Sequence, residues 1–449
     1  MAWRNDYGTK VEINLNPYKE RVKLARVIKP IGKVTRVIGL MIEVQGIIAR
    51  IGEVCEIVVQ DEPEPVQAEV VGFRDQFSLL MPLGELKGIY PGCSVVPSGK
   101  ALTIKVGKHL WGKVLDGLGR PIEDKTVLNQ GEEFKVDNPP PNPLKRRRIK
   151  TVLVTGIRAI DGLLTCGKGQ RIGIFSGSGV GKSTLLGMIA RNGSADVNVI
   201  ALIGERGREV LEFLEEDLGP EGMARSIVVA ATSDQPALVR LKGAFVATAI
   251  AEYFRNQGLD VTLMMDSVTR FAMAQREIGL AVGEPPATKG YTPSVFAILP
   301  KLLERSGMGH KGSITAFYTV LVDGDDLNEP VADAVRGILD GHIVLSRTLA
   351  SRNHFPAVDV LQSVSRLMPD ITSNEHQSRA GMIKELLATY LKSEDLINIG
   401  AYSSGSNPKI DRALAKYEEI VAFLKQSPTE YSSYEDTLGS LVSLVEEGM

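Results

Sequence analysis

The sequence predicts an α/β protein in three parts: a small N-terminal β-barrel, a central domain built on a parallel sheet, and a C-terminal helical domain. Three textures of the chain carry that prediction. From residue 27 to 107, short β-branched runs (KVTRVIGLMIEVQG, EVCEIVV, QAEVVGF, FSLLMPL, SVVPSGKALTIKVG) are cut by glycine. Turn signals about every 8 to 12 residues with alternating apolar positions read as an antiparallel barrel or sandwich. From Thr151 to residue 373, the buried-strand runs RIGIF, VNVIALI, SIVVAA, VTLMM and TAFYTVLV alternate with longer segments of helical spacing. That alternation implies crossover helices and a doubly wound parallel sheet, with ligands at the carboxyl ends of its strands. From Asn374 to residue 449 the pattern is almost wholly helical.

Two connecting pieces complete the order. Residues 1–26 contain NPYKERVKLARV, expected to be a short helix in a terminal arm that binds a partner and does not belong to the barrel. Residues 108–150 read as a linker, because Pro139, Pro140, Pro141 and Pro143 forbid helix and favour extended polyproline. The Arg146–Arg148 run that follows reads as a solvated or interface-facing linker and not as a nucleic-acid patch.

Composition narrows the function. At roughly 150 residues per domain, 449 residues suit about three domains. An apolar share of 43% with 24% charged residues is that of a globular chain and not a disordered one. The 52 basic and 54 acidic residues nearly cancel, so no net field draws the chain to nucleic acid or anionic lipid. Cys55, Cys93 and Cys166 are odd in number and far apart, which argues against a disulfide framework and against structural zinc. The start MAWRNDYGTKVEINL places Arg4, Asp6, Lys10 and Glu12 where a signal peptide needs an apolar core, so a cytoplasmic protein is expected. No apolar run approaches the roughly 20 residues needed to span a bilayer.

Three segments carry chemistry. FSGSGVGKST, residues 175–184, stands where a strand ends and a helix begins. Gly177, Ser178, Gly179, Val180, Gly181, Lys182, Ser183 and Thr184 form a loop whose backbone N–H groups can cradle phosphates, with Lys182 reaching the β and γ phosphates and Ser183 able to ligate Mg²⁺. Ser176 replaces the first glycine of the GxxxxGK[ST] pattern, a small residue that still permits the turn. VTLMMDSVTR delivers Asp266 at the end of an apolar strand, where a carboxylate can hold the magnesium shell through water. ALIGERGREV ends another strand in Glu205, which can orient and polarise a water in line with the γ phosphorus.

These segments, with GIRAIDGLLTCGKGQRIGIF before them and SRNHFPAVDVLQSVSRLM after them, resemble the rotary ATP synthase α/β superfamily. Pro356, Asp359, Ser363 and Ser365 match its signature, and GERGREVLEFLEEDLG, EPPATKGYTPSVFAILPKLLERSG and DGDDLNEPVADAVRGILDGHIVLSR are similar to the ATPases of bacterial type III protein export, the loop wording favouring flagellar over injectisome members.

The resemblance implies a central RecA-like P-loop ATPase domain that takes ATP and Mg²⁺. It makes Glu205 the catalytic base and Lys182, Arg206 and Arg270 phosphate-side cations, places Phe355 and the segment around Tyr402 at the adenine, and puts Arg366 at a subunit border facing a neighbour's γ phosphate. It further implies a homohexamer at the inner face of the cytoplasmic membrane. A stator-like regulator would bind the N-terminal arm, a central stalk protein would fill the pore, and chaperone–substrate complexes and the export gate would be the remaining partners, with no nucleic acid among them. A Rho-type ring helicase would need basic residues interleaved with aromatics in residues 28–107, which are missing there. A non-catalytic ring subunit would normally lack Glu205.

Overall fold

A computed structural model describes residues 15, 18–19, 30–60, 62–123, 130–322 and 326–446. The arm expected at 1–26, with its helix, lies outside the described residues but for Leu15, Tyr18 and Lys19.

Six strands close into an antiparallel barrel in the order Gly32–Ile38, Met41–Gln45, Phe77–Pro82, Val66–Arg74, Glu53–Val58, Ser94–Ala101. Strand alternation sends Val34, Ile42, Val44, Ile57, Val70, Leu80 and Val95 inward, together with Cys55 and Cys93. All three cysteines are free and buried, and burial pushes the Cys55 thiol up to about 12. They are packing groups.

The central sheet has the order Val358–Ser365, Gly341–Leu345, Arg171–Ser176, Ser313–Leu321, Asp260–Asp266, Val197–Ile203, Ser226–Ala231, Val114–Asp116. All neighbours on this path are parallel except the first pair, in which Gly341 faces Ser365 and Val344 faces Asp359. Strands such as Val197–Ile203 are buried along their whole length, as expected where helices cover both faces.

The sheet is wider than the five runs seen in the sequence. Gly341–Leu345 is a short HIVL stretch, and Val114–Asp116 is three residues inside glycine-rich text, too little for periodicity to register. The segment read as a linker is thus partly built into the central domain, and its residues 136–138 are pinned there. Arg305 donates to Glu252 at 2.6 and 3.0 Å and to the carbonyl of Val136 at 2.9 Å, and Asn138 donates to Glu252 at 3.0 Å. Lys242, also buried, bridges Glu69 of the barrel at 2.8 Å and Asp137 at 3.1 Å. A buried cation with two carboxylates is costly to break, because the loss of one partner strands the others. Barrel and central domain are further joined by apolar contact, Met41, Leu79 and Met81 lying in one cluster with Leu102, Val106 and Val246.

Helices Asn374–Asn398, Pro408–Leu424 and Tyr434–Glu446 follow. They pack through Ile383, Leu387, Ile420, Phe423 and Leu441 on the cluster that holds the helix Arg158–Leu163.

Candidate functional site

The strand Arg171–Ser176 ends in the loop Gly177–Gly181, and the helix Lys182–Asn192 starts directly after it. Gly179 and Gly181 adopt φ of 76° and 88°, a region open to glycine and strained for side chains, so these two glycines make the bend. The loop and first helical turn leave N–H groups and the positive end of the helix dipole facing the same space.

Two neighbouring strands aim carboxylates into that space. Val197–Ile203 leads to Glu205 and Asp260–Asp266 ends in Asp266. Lys182 Nζ pairs with Asp266 Oδ1 and stands 3.8 Å from Glu205 Oε1. Asp266 is 3% exposed, and its Oδ1 also accepts from the Thr319 hydroxyl at 2.8 Å, a partner on the strand Ser313–Leu321 that sequence reading missed. Burial works against the Lys182 charge, but Asp266 and Glu205 outweigh it and hold the ammonium above its usual range. Glu205 is pushed up to about 7, first by burial and then by the Asp266 charge, against the pull of Lys182. Among the described residues its Oε1 is buried without a hydrogen-bond partner, as is the Ser176 hydroxyl. Unsatisfied buried oxygens beside a phosphate-shaped loop are groups waiting for a ligand or its water.

The resulting cleft has a volume of 420 Å³ and is lined by the loop, Lys182, Ser183, Thr184, Glu205, Arg206, Asp266 and Arg270. Arg270 comes close because Gly204, at φ 71°, leaves room: a Cβ there would stand 2.9 Å from the Arg270 side chain. Arg206 is exposed and pairs with Glu209 at 3.0 Å. Asp217, which the sequence reading passed over, also lines the cleft. Burial raises its carboxyl, and a hydrogen bond with Thr184 opposes that rise. It reaches this position because Gly187 has no side chain: a Cβ there would meet the Asp217 carbonyl at 2.4 Å.

The donor set of a Ser183 hydroxyl with Asp266 and Glu205 carboxylates is all hard oxygen, which fits Mg²⁺ shared with phosphates. Among the described residues no three His, Cys, Asp or Glu side chains cluster as a cage, and a metal held chiefly by phosphate and water needs none.

Phe355 lies beside the loop, its ring carbons 3.6 Å from where a Gly181 Cβ would stand. Tyr402 does not line the cleft. Its hydroxyl donates to the Asn407 carbonyl at 3.0 Å and to Asp411 at 2.9 Å, tying down the turn that starts the helix Pro408–Leu424. The segment that does lie against Phe355 follows that helix: the Gln426 N–H donates to the Phe355 carbonyl at 2.9 Å. Gln426 is itself buried and anchored to Gly156, Arg158 and Glu430. No motif marked that glutamine. Arg366 is exposed and does not line the cleft; its N–H donates to the Asp340 carbonyl at 3.1 Å, at the opposite edge of the sheet from the loop.

Comparison with known proteins follows the same outline. Residues 34–99 match the β-barrel domain of the ATP synthase alpha/beta family, residues 156–365 its nucleotide-binding domain, and residues 372–443 the T3SS EscN ATPase C-terminal domain. The flagellum-specific ATP synthase of Bacillus subtilis (strain 168) is 59% identical over 417 residues, 93% of this chain and 95% of that one. The type 3 secretion system ATPase of Xanthomonas euvesicatoria is 51% identical over 93% of this chain and 94% of its own length. The assembled ATPase EscN of the enteropathogenic E. coli type III secretion system superposes with a TM-score of 0.87 at 50% identity, covering 92% of this chain and 100% of that one. With barrel, nucleotide-binding and C-terminal models each matched in order, the chain belongs to the ATP synthase α/β family, among its flagellar and type III secretion ATPases.

Proposed function

We propose that this chain is the ATPase of flagellar type III protein export, hydrolysing ATP in the Lys182–Glu205–Asp266 cleft to help unload substrates from their chaperones at the export gate. The observation that carries the enzymatic reading is the convergence on one phosphate-shaped loop of a buried cation, a deeply buried carboxylate and a carboxylate with a pKa near 7. The triphosphate seats on the N–H groups of residues 177–184, and Lys182 leaves the carboxylates to meet the β and γ oxygens. Glu205, titrating near neutrality, takes a proton from a water as its oxygen bonds the γ phosphorus and the bond from that phosphorus to the β–γ bridging oxygen breaks, releasing ADP. Ser183 and, through water, Asp266 would hold Mg²⁺, which would supply neutralisation of charge on the phosphate oxygens. Arg206 and Arg270 add positive charge at the rim, and Phe355 offers a face to the adenine with the Lys425–Glu430 segment opposite.

Arg366 acts from a neighbouring subunit. One chain carries both Glu205 and Arg366, so a homohexamer has six equivalent sites at its borders. The relative EscN has been solved in complex with its central stalk EscO, which supports a stalk protein in this ring's pore. A stator-like regulator on the N-terminal arm and peripheral attachment to the membrane complete the reading. Among the described residues no helix is long and apolar enough to cross a membrane. The test is turnover of the purified protein with flagellar or needle chaperone–substrate complexes added. Stimulation by the flagellar set supports the assignment, and stimulation by the needle set alone would move it to virulence export.

A further inference from the structure

The central sheet has two chemically different edges. The strand Arg171–Ser176 runs six residues from one to the other, about 17 Å at 3.3 Å per residue. The loop, Glu205 and Asp266 lie at the carboxyl edge. At the amino edge, the antiparallel pairing of Gly341 with Ser365 sets Arg366 level with the start of the parallel strands. A nucleotide in the cleft is therefore out of reach of the same subunit's Arg366. A copy that supplies Arg366 must place its amino edge on the carboxyl edge of the next, which is a head-to-tail contact between two different faces.

Those two faces carry opposite charge. The amino edge holds a cleft of 540 Å³ lined among others by Arg148, Lys150, Arg171, Asp340 and Asp370. Arg171 is spent on Asp340 and Glu304, and Arg146 on Glu304 and the Ser306 carbonyl. Arg148 and Lys150 are exposed, with no ion pair among the described residues. On the carboxyl edge the segment after Glu205 forms an acidic ridge beside the nucleotide cleft. Arg206 and Arg208 pair there with Glu209 and Glu212, which leaves the exposed Glu215 and Glu216 without ion pairs among the described residues. Each face also shows an exposed leucine, Leu144 at 96% and Leu211 at 56%.

We propose that the ring is assembled by charge: the acidic ridge of one subunit, at Glu215 and Glu216, docks on the basic cleft of a second copy, at Arg148 and Lys150, and this contact brings that copy's Arg366 to the nucleotide. The inference rests on the shared-site reading of Arg366 and adds the surface that positions it. Complementary faces of this kind speed correct encounters, reject like-with-like contact, and weaken with salt.

The test measures assembly of the full chain by mass photometry with a non-hydrolysable ATP analogue. Wild type should need about tenfold more protein to assemble at about 300 mM salt than at about 50 mM. The double variants Glu215→Lys/Glu216→Lys and Arg148→Glu/Lys150→Glu should each assemble at least about tenfold less well at low salt, while keeping wild-type melting and monomer nucleotide affinity. An equimolar mixture should recover assembly as alternating rings, because each ridge then meets a cleft of opposite sign. Wild-type assembly by either variant, or no recovery in the mixture, would overturn the proposal. Arg366→Ala separates the two readings. If it assembles and turns over normally, the shared site fails and charge steering is judged on the mixture alone; if it assembles but is inactive while the mixture fails to recover, charge steering fails alone.

Discussion

The carboxyl and amino edges of the central sheet differ in how their charges are balanced. At the carboxyl edge Lys182 sits against Asp266 and Glu205, a buried cation balanced by its own chain. At the amino edge Arg366 is exposed, and among the described residues its one side-chain hydrogen bond, to the Arg336 carbonyl, is a long 3.4 Å. The first arrangement is complete enough to bind a nucleotide. The second has a cation without an anionic partner among the described residues, which fits the proposed use of Arg366 by a neighbouring subunit. On the proposed reading, a site split in this way would tie turnover to assembly, since a lone subunit would bind substrate without the charge that stabilises transfer.

The largest effect that can break this comparison is that of Arg366. Arg366→Ala should lower kcat by about 10³–10⁵ with monomer nucleotide affinity unchanged, as for a cation supplied in trans. Glu205→Gln comes next, with a loss of about 10²–10⁴ in kcat and near-normal binding, because glutamine keeps the size and hydrogen bonding but takes no proton. Mixing the two inactive proteins sharpens the point. A Glu205→Gln subunit lends its intact Arg366 to an Arg366→Ala neighbour, so random rings restore about a quarter of the interfaces, well above either parent. Single-turnover and steady-state rates on mixed rings of verified mass are the measurement. Absence of recovery would mean that Arg366 serves no neighbour's nucleotide and acts only structurally. A smaller effect belongs to Phe355: Phe355→Ala should raise KM about tenfold with kcat little changed, as expected of a ring that binds base in ground and transition states alike.

How much of this was legible beforehand follows from what a sequence can encode locally. Asp266 ends a strongly apolar strand and Glu205 follows one by two residues, while Lys182 and Ser183 open a helix after a glycine-rich loop, so an apolar run with a carboxylate at its end and the loop pattern marked them. Asp217, Thr319 and Gln426 had no such marker. Each reaches its place through a tertiary contact: Asp217 across Gly187, Thr319 from an adjacent strand, Gln426 by a backbone bond to Phe355 across 71 positions of chain. Tyr402 shows the converse, an aromatic in a glycine- and serine-rich loop whose hydroxyl is claimed by the local Asp411. The barrel was visible as texture, whereas Val114–Asp116 was too short to be seen and is a strand because the edge of the sheet offers it partners.

The smallest expected effect tests the electrostatics of the carboxyl edge directly. An unfolded chain ionises Glu205 at its ordinary value of 4.5, whereas the folded cleft delays this to about 7. Between those values the folded state holds the extra proton, so the stability of the nucleotide-free protein falls as pH rises through the window, and above pH 7 the whole deficit remains. Glu205→Gln cannot ionise and escapes that loss, while Lys182 keeps Asp266 as its partner. The variant should thus melt with wild type near pH 4.5 and about 2–6 °C above it at pH 8, a gain of about 1–3 kcal/mol. Activity has the opposite sign: wild-type kcat/KM should drop about tenfold per pH unit below 7 as the base is protonated. Calorimetry at pH 8 decides. A Gln variant that melts below wild type would mean that Lys182 holds Glu205 ionised in the empty cleft, and the acid limb of the rate profile would then have to come from another group.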